Sequence, residues 1–277
     1  MRLAARSLTS RSPTRQVGLL LGQSLSPLGH WNSVSPKASQ DTLRQFFAQW
    51  GLPDRVRLDN GHPWGSSTDL PPALALWLLG LGIGLIYNPA RRPQRNCFVE
   101  RLQGLAEPWA EPGQCASVEE YQRHLDWAIK VQREEYPAIP SEHRSATAKA
   151  WRTRLEAYPK LTIIRRPFDP LREAETWSLE RVKDYLAQGL WQRKVNKVGQ
   201  ITIYRRALPV GHDHRGQEVL VTLDPLTNKW VVQEANGHEL RRHPATEITT
   251  ERICNLAVSN RPNSHQSARN TTSRQTL

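Results

Sequence analysis

The chain has 277 residues, 38 Lys and Arg against 26 Asp and Glu, and a formal net charge of +12. Its 38% hydrophobic share is too rich for wholesale disorder and too poor for a multi-span membrane protein, and no apolar run reaches the roughly 18 residues a spanning helix needs. Three widely spaced cysteines, Cys97, Cys115 and Cys254, exclude a disulfide framework and a zinc site of four cysteines. What remains is a soluble intracellular protein with room for two domains and no membrane partner. Its basic surplus points to a polyanion, of which nucleic acid is the commonest.

The charge is uneven. Residues 1–40 hold Arg2, Arg6, Arg11, Arg15 and Lys37 and no acid, a composition shared by transit peptides and by flexible segments out of their context. Within them the apolar stretch 17–21 reads as a strand. Asp41 can cap a helix carrying Leu43, Phe46, Phe47 and Trp50 at helical spacing, and Gly51-Leu52-Pro53 ends it. Residues 55–58 form a short strand, followed by an Asn60-Gly61 turn. The almost wholly apolar 73–81 reads as a buried helix, and 83–87 as a strand closed by Asn88-Pro89. Residues 96–105 and 118–136 are helical, the second with Tyr121, Leu125 and Ile129 on one face.

Prolines 140, 159, 167 and 170 interrupt any long element over 138–176. A helix follows at 179–190, and then the period becomes two. Strands are predicted at 200–207, 218–223, 229–234 and 239–242, with turns at Gly211, Gly216, Asp224-Pro225 and Asn236-Gly237. Short strands at this density suit a small barrel, with Trp191 and Trp230 read as core. Residues 259–277 are polar and acid-free and are expected to be disordered. The expected organisation is a basic leader (1–40), an α/β region (41–140), a linker (141–178), a β-rich module (179–258) and a tail (259–277).

Two segments carry chemistry. Arg57-Leu58-Asp59-Asn60-Gly61 places a carboxylate at the end of a predicted strand, where open α/β sheets bind their ligands. An isolated Asp-Asn-Gly is ordinarily a plain turn. About forty residues on, Asn88-Pro89-Ala90-Arg91-Arg92-Pro93-Gln94-Arg95 forms a basic, proline-stiffened loop entering a helix that carries Glu100. Arg91, Arg92 and Arg95 are suited to phosphate, as is the helix N-terminus. Glu100 alone would be no more than a complement to the helix dipole, worth a few tenths of a kcal/mol.

Together the segments form one ordered string: Gly51-Leu52-Pro53, Asp59-Asn60-Gly61, His62-Pro63-Trp64-Gly65, Leu81-Gly82-Ile83, and Pro89 through Arg101 with Arg92-Pro93-Gln94-Arg95-Asn96 and Val99-Glu100-Arg101. This string closely resembles the integrase catalytic core shared by retroviral-type integrases and many bacterial insertion-sequence transposases. The resemblance spans roughly residues 41–137. Trp191-Gln192-Arg193-Lys194-Val195, Lys197 and Gly199-Gln200-Ile201 resemble the small barrel that many such transposases carry after the core. Residues 181–242 hold eleven Lys and Arg against six Asp and Glu, which suits either backbone phosphates or a solvated barrel face.

The resemblance implies an α/β fold with an incomplete RNase H-like integrase core, followed by a small all-β, SH3-like barrel that binds DNA. It also implies DNA integration and transposition by phosphoryl transfer, with three carboxylates, Asp, Asp and Glu, holding two Mg²⁺ or Mn²⁺ ions. Metals about 3.5–4 Å apart activate the attacking oxygen and stabilise the leaving one. Asp59 matches the second carboxylate and Glu100 the third, as catalytic residues and metal ligands. Candidate DNA contacts are Arg91, Arg92, Gln94, Arg95, Asn96 and Arg101 in the core, and Arg193, Lys194, Lys197, Arg205 and Arg206 beyond it. The first carboxylate belongs on an earlier strand, yet residues 1–40 contain no acid, Asp41 opens a helix and Asp54 lies in a turn. Metal binding is therefore expected to be weakened and strand transfer crippled. The chain reads as an N-terminally truncated transposase, confined to the bacterial cytoplasm at the nucleoid. The alternative is a non-catalytic DNA-binding protein, or a modulator that pairs with full-length transposase.

Overall fold

Ser35-Pro36 opens the first long helix, and both residues are built for the task. In the computed structural model α1 spans Pro36–Trp50, and the Ser35 hydroxyl accepts from the Ala38 amide at 3.1 Å. Pro36 occupies a first-turn position, where a missing N–H costs nothing. Asp41 is therefore not the cap that the sequence led us to expect. It lies in the second turn, hydrogen-bonded to Lys37 at 2.9 Å and Arg44 at 3.0 Å. Gly51 ends the helix at φ 75°, donating its amide to Phe47 O at 2.8 Å, a conformation that favours glycine.

The structure describes residues 3–6, 16–19, 35–58, 64–65, 69–87, 108–140, 151–157 and 166–259. They fall into two units, Met1–Asp59 with Ile86–Pro170 and Asn60–Leu85 with Leu171–Leu277. The fold is mixed helix and sheet. Among the described residues no helix is long and apolar enough to cross a membrane.

The first unit carries β1 (Leu3–Arg6), β2 (Gln16–Leu19) and β3 (Arg55–Leu58) in a four-stranded sheet ordered β2-β1-β3-β4, with β4 (Gly84–Tyr87) crossing the division between the units. β1 runs antiparallel to β2, Leu3 opposite Leu19, and antiparallel to β3, Ala4 opposite Arg57. The sheet is thus not a doubly wound parallel one, and the argument that sites lie at parallel strand ends does not transfer to it directly. Val56 and Leu58 alternate into the core with Leu43 and Phe47 of α1, and Phe47 meets Phe168 edge-on at 6.1 Å.

The second long helix of this unit, α3 (Val118–Glu134), has reciprocal local capping. Ser117 Oγ accepts from Glu120 N at 3.1 Å, while Glu120 reaches back to Ala116 N at 2.7 Å. Leu125 and Ala128 are buried, and Arg133 stacks over Trp50 at 4.6 Å. The Pro-broken 138–176 region holds only short pieces among its described residues: the hairpin β5 (Pro137–Pro140) with β6 (Trp151–Thr153), and single helical turns at Arg154–Ala157 and Glu173–Thr176.

In the second unit, α2 (Ala73–Gly80) is buried at all eight positions. Its side chains are apolar on every face, so it must be enclosed. Residues about 100 positions onward in the same unit do part of this, together with the helix at Thr250–Cys254. Trp77 Nε1 donates to Glu173 Oε1 at 2.8 Å, and Trp177 Nε1 donates to Trp77 O at 3.1 Å. Ser178 N and Arg181 Nη1 both donate to Gly80 O at 3.0 Å. A Cβ on Gly80 would lie 2.1 Å from the Trp177 indole, so only glycine admits this approach.

The helix α4 (Leu179–Ala187) then leads into an antiparallel sheet ordered β12-β11-β10-β7, made of Glu239–Pro244, Lys229–Gln233, Glu218–Asp224 and Trp191–Lys194. A separate hairpin pairs β8 (Gln200–Ile203) with β9 (Arg206–Pro209), and α5 (Thr250–Cys254) ends the described chain. Among the described residues no sheet closes into a barrel. The single strand expected over 200–207 is a hairpin, because Tyr204 and Arg205 turn the chain at φ 45° and 64°. Non-glycine residues rarely adopt that conformation. Here the buried Tyr204 ring packs 6.2 Å from Trp230, and its hydroxyl donates to Pro71 O at 3.0 Å, which holds the turn in place. Trp191 and Trp230 are core residues, as expected, edge-to-face at 5.8 Å.

Candidate nucleic-acid interface

Strand register decides which cations of the C-terminal sheet face outward. β7 pairs with β10 so that Trp191 lies opposite Val221 and Arg193 opposite Val219, while Gln192 lies opposite Leu220 and Lys194 opposite Glu218. Paired residues in a sheet share a face. Arg193 is therefore on the face of Trp191, Val219 and Val221, the core side, and Lys194 is on the other. The burial agrees, with Trp191 buried, Arg193 half-buried and Lys194 exposed.

Arg193 spends its guanidinium within the protein. Its Nη2 and Nη1 bind Asp69 Oδ1 and Oδ2 at 2.8 and 3.1 Å, a bidentate pair, and its Nε donates to Thr202 O at 3.3 Å. Planar fork-to-carboxylate pairing of this kind is directional and strong for an exposed pair. Arg206 is also engaged. Its Nη1 donates to Pro244 O, to Thr246 Oγ1 at 3.0 Å and to the buried Glu247 at 3.2 Å. Glu247 in turn accepts from the Trp230 indole, so Arg206 anchors the segment after β12.

Lys194 and Lys197 are exposed and form no ion pair among the described residues. Arg205 is exposed at the hairpin tip. The structure thus separates the five predicted C-terminal contacts into two held inward, Arg193 and Arg206, and three presented outward, Lys194, Lys197 and Arg205.

Other charges of this sheet neutralise one another. Arg242 bridges Glu239 at 2.8 Å and Asp224 at 2.7 Å. The Thr227 hydroxyl, followed by the Thr227 and Leu226 amides and Arg242, holds the Asp224 carboxyl below its ordinary value against partial desolvation. Arg242 does the same for Glu239. Burial, aided by Arg206 and Arg241, pushes the His243 imidazole down, against a bond to the Pro209 backbone that favours its charged form.

Asp59, Glu100, Arg91, Arg92, Gln94, Arg95, Asn96 and Arg101 lie outside the described residues. Strand β3 delivers the chain to Asp59, and β4 carries it toward the Arg-Pro-Gln loop. Neither nearby aspartate offers itself as a further ligand. At Asp41, partial burial opposes ionisation, but the hydrogen bonds from Lys37 and Arg44 outweigh it and keep the carboxylate committed to those cations. Asp54 is exposed in the turn before β3. Among the described residues no group of three or more His, Cys, Asp or Glu side chains is placed to hold a metal ion.

Sequence reasoning missed Asp69, Glu173 and Trp177, which bind α2 and the strand after α4 into one unit. No local signal marks them. Asp69 is one acid in a Ser- and Pro-rich stretch, and Glu173 and Trp177 lie in the Pro-broken region. No family model matches the chain.

Proposed function

We propose that the chain is a DNA-binding protein of transposase or integrase type, whose carboxylate constellation is incomplete. The ordered string of motifs from Gly51 through Arg101 carries the reading. It brings a strand-end Asp59, a basic Arg-Pro-Gln loop and Glu100 into the order that metal-dependent phosphoryl transfer on DNA uses. An RNase H-like core and an SH3-like module remain the finer fold assignments. The short antiparallel strands and the outward Lys194, Lys197 and Arg205 are compatible with the second. Mg²⁺ or Mn²⁺ would be held by Asp59 and Glu100 and would supply Lewis-acid assistance to the transferring phosphoryl group.

Residues 1–277 supply two of the three carboxylates, which favours a second reading of the same protein: DNA binding without strand transfer, alone or alongside a complete transposase. Cations facing backbone phosphates give affinity that falls steeply with salt and is indifferent to sequence. The location that follows is the cytoplasm of a bacterium, at the nucleoid.

Two assays separate the readings. Gel retardation of duplex DNA by the full chain, weakening steeply with salt, supports DNA binding, and its absence at low salt removes both readings. Strand transfer with Mg²⁺ or Mn²⁺ is expected to be undetectable. Clear activity abolished by Asp59→Asn would restore the complete enzyme and discard the non-catalytic reading.

A further inference from the structure

We propose that Trp127 and Tyr136, braced by Trp109, form a platform on which the unpaired bases of single-stranded DNA stack. This goes beyond the DNA-binding reading above. It adds a surface in the first unit, whereas the outward cations Lys194, Lys197 and Arg205 belong to the second, and it concerns a different form of DNA.

Helical period separates this platform from the core. At about 100° per residue, Leu125, Ala128 and Gln132 line one side of α3 and are buried, while Trp127 lies on another and is 56% exposed. Tyr136, just past the C-cap Glu135, is 45% exposed. Trp109 sits against both rings. It lies 6.5 Å from Trp127 with the planes tilted by 44°, and 5.7 Å from Tyr136 edge-on. Single exposed apolar side chains need no explanation. Two exposed rings held by a third are pre-set for contact, because stiff aromatic side chains lose little freedom on binding.

The charge on this face selects the occupant. By helical spacing Glu120, Arg123, Lys130 and Glu134 share it with Trp127. Its two acids are spent within the protein: Glu120 accepts from Ala116 N at 2.7 Å, and Glu134 is paired with Arg133. Arg123 and Lys130 are exposed, one turn to either side of Trp127, and form no ion pair among the described residues. Asp126 and Glu135 lie about a quarter turn round the helix, and Asp126 accepts from Gln122 at 2.9 Å. An aromatic surface between two unspent cations fits a ligand that alternates anionic groups with flat apolar ones, which is the chemistry of a nucleic-acid strand. Duplex DNA is a poor fit, because its bases are stacked on one another and offer no open face. An unpaired base offers one, and Arg123 and Lys130, about 10 Å apart along the axis, are placed to take the flanking phosphates.

The test is fluorescence anisotropy of a short labelled oligothymidylate with the full chain at low salt, beside an abasic strand of equal length and a duplex. Wild type should bind the oligothymidylate at least about fivefold more tightly than the abasic strand. Trp127→Ala and Tyr136→Ala should each weaken oligothymidylate binding by about five- to a hundredfold, the range for losing a stacking ring, and leave abasic and duplex binding unchanged. Trp127→Phe should keep most of the preference, because a phenyl ring still stacks. Arg123→Gln with Lys130→Gln should flatten the salt dependence of oligothymidylate binding. Oligothymidylate binding that survives intact in Trp127→Ala overturns the inference. So does equal loss on all three ligands, which marks a structural role. So does a change of oligomeric state in Trp127→Ala with the base preference retained, which gives the platform to a second copy of the chain. A wild-type chain that binds duplex but shows no preference for bases overturns this inference alone. One that binds no DNA removes the functional reading as well.

Discussion

The helices α2 and α3 reach the same conformation by opposite means. α3 carries its instructions locally: a Ser117 cap, Glu120 answering it, acids in the first turn, Arg133 in the last and an apolar stripe on one face. α2 carries none of these and is apolar all round. An isolated helix of eight residues is marginal in water whatever its composition. α2 closes its own C-terminus through Gly82 (φ 71°), whose amide reaches Leu79 O at 2.8 Å while Ile83 N reaches Leu78 O at 3.1 Å, but its enclosure comes from elsewhere, from residues 173–187 and Thr250–Cys254. The lesson is that a helix can be plain in sequence as a buried element while its stability is written elsewhere in the chain.

That contrast is open to breakage. Trp177→Ala removes both the ring over Gly80 and a hydrogen bond to Trp77 O, and should cost about 3–5 kcal/mol by urea denaturation, the usual range for a buried Trp. A loss under about 1 kcal/mol would mean that α2 does not depend on this residue. Gly80→Ala should cost about 1–3 kcal/mol, because the new Cβ collides with a ring that has little room to give. In a solvated helix the same change would stabilise by up to about 1 kcal/mol, so even the sign is informative.

Glu173→Ala strands the Trp77 indole N–H and should cost about 1–3 kcal/mol, with Glu173→Gln close to wild type. Equal losses for the two would argue that charge rather than acceptance matters. For the self-sufficient helix, Ser117→Ala should cost about 1 kcal/mol, read as fraying of α3 by hydrogen exchange with no change over 73–80.

The smallest expected effect is one of pH. Asp224 and Glu239 have depressed carboxyl values in the folded chain. Their contribution is present above the ordinary carboxylate range and fades as pH falls through the folded values. Both pairs are at the surface and screened by salt. Asp224→Asn should flatten the acid limb of stability slightly, and an unchanged limb would show that the Arg242 bridges contribute nothing measurable.

Much of the element map was legible. Gly51 stops α1 because its backbone freedom is needed there. The apolar 73–81 run, the strands ending near Leu58 and Tyr87, and the helix after Ser117 all follow from period and punctuation. The reading of Trp191 and Trp230 as core rather than as exposed platforms holds in the structure. The hairpin at Tyr204-Arg205 was not legible, since neither residue is a turn former. Burial of the tyrosine ring and its bond to Pro71 enforce the turn from outside. Asp41 misled because an acid before an apolar stripe resembles a cap, whereas Ser35-Pro36 satisfies the helix start one and a half turns earlier.

The candidate site divides along the same line. The resemblance carried by residue order marked Asp59, Glu100 and the Arg-Pro-Gln loop as candidates, and composition marked the last third of the chain as basic. Which cations of that third face solvent is a matter of register. A strand places neighbours on opposite faces, so Lys194 is offered outward while Arg193 is consumed by Asp69. Sequence by itself determined local period and most of the turns, because these depend on near neighbours. Only tertiary structure decided what encloses α2 and that Arg193 is turned onto Asp69, because both depend on residues about 100 positions apart in the chain.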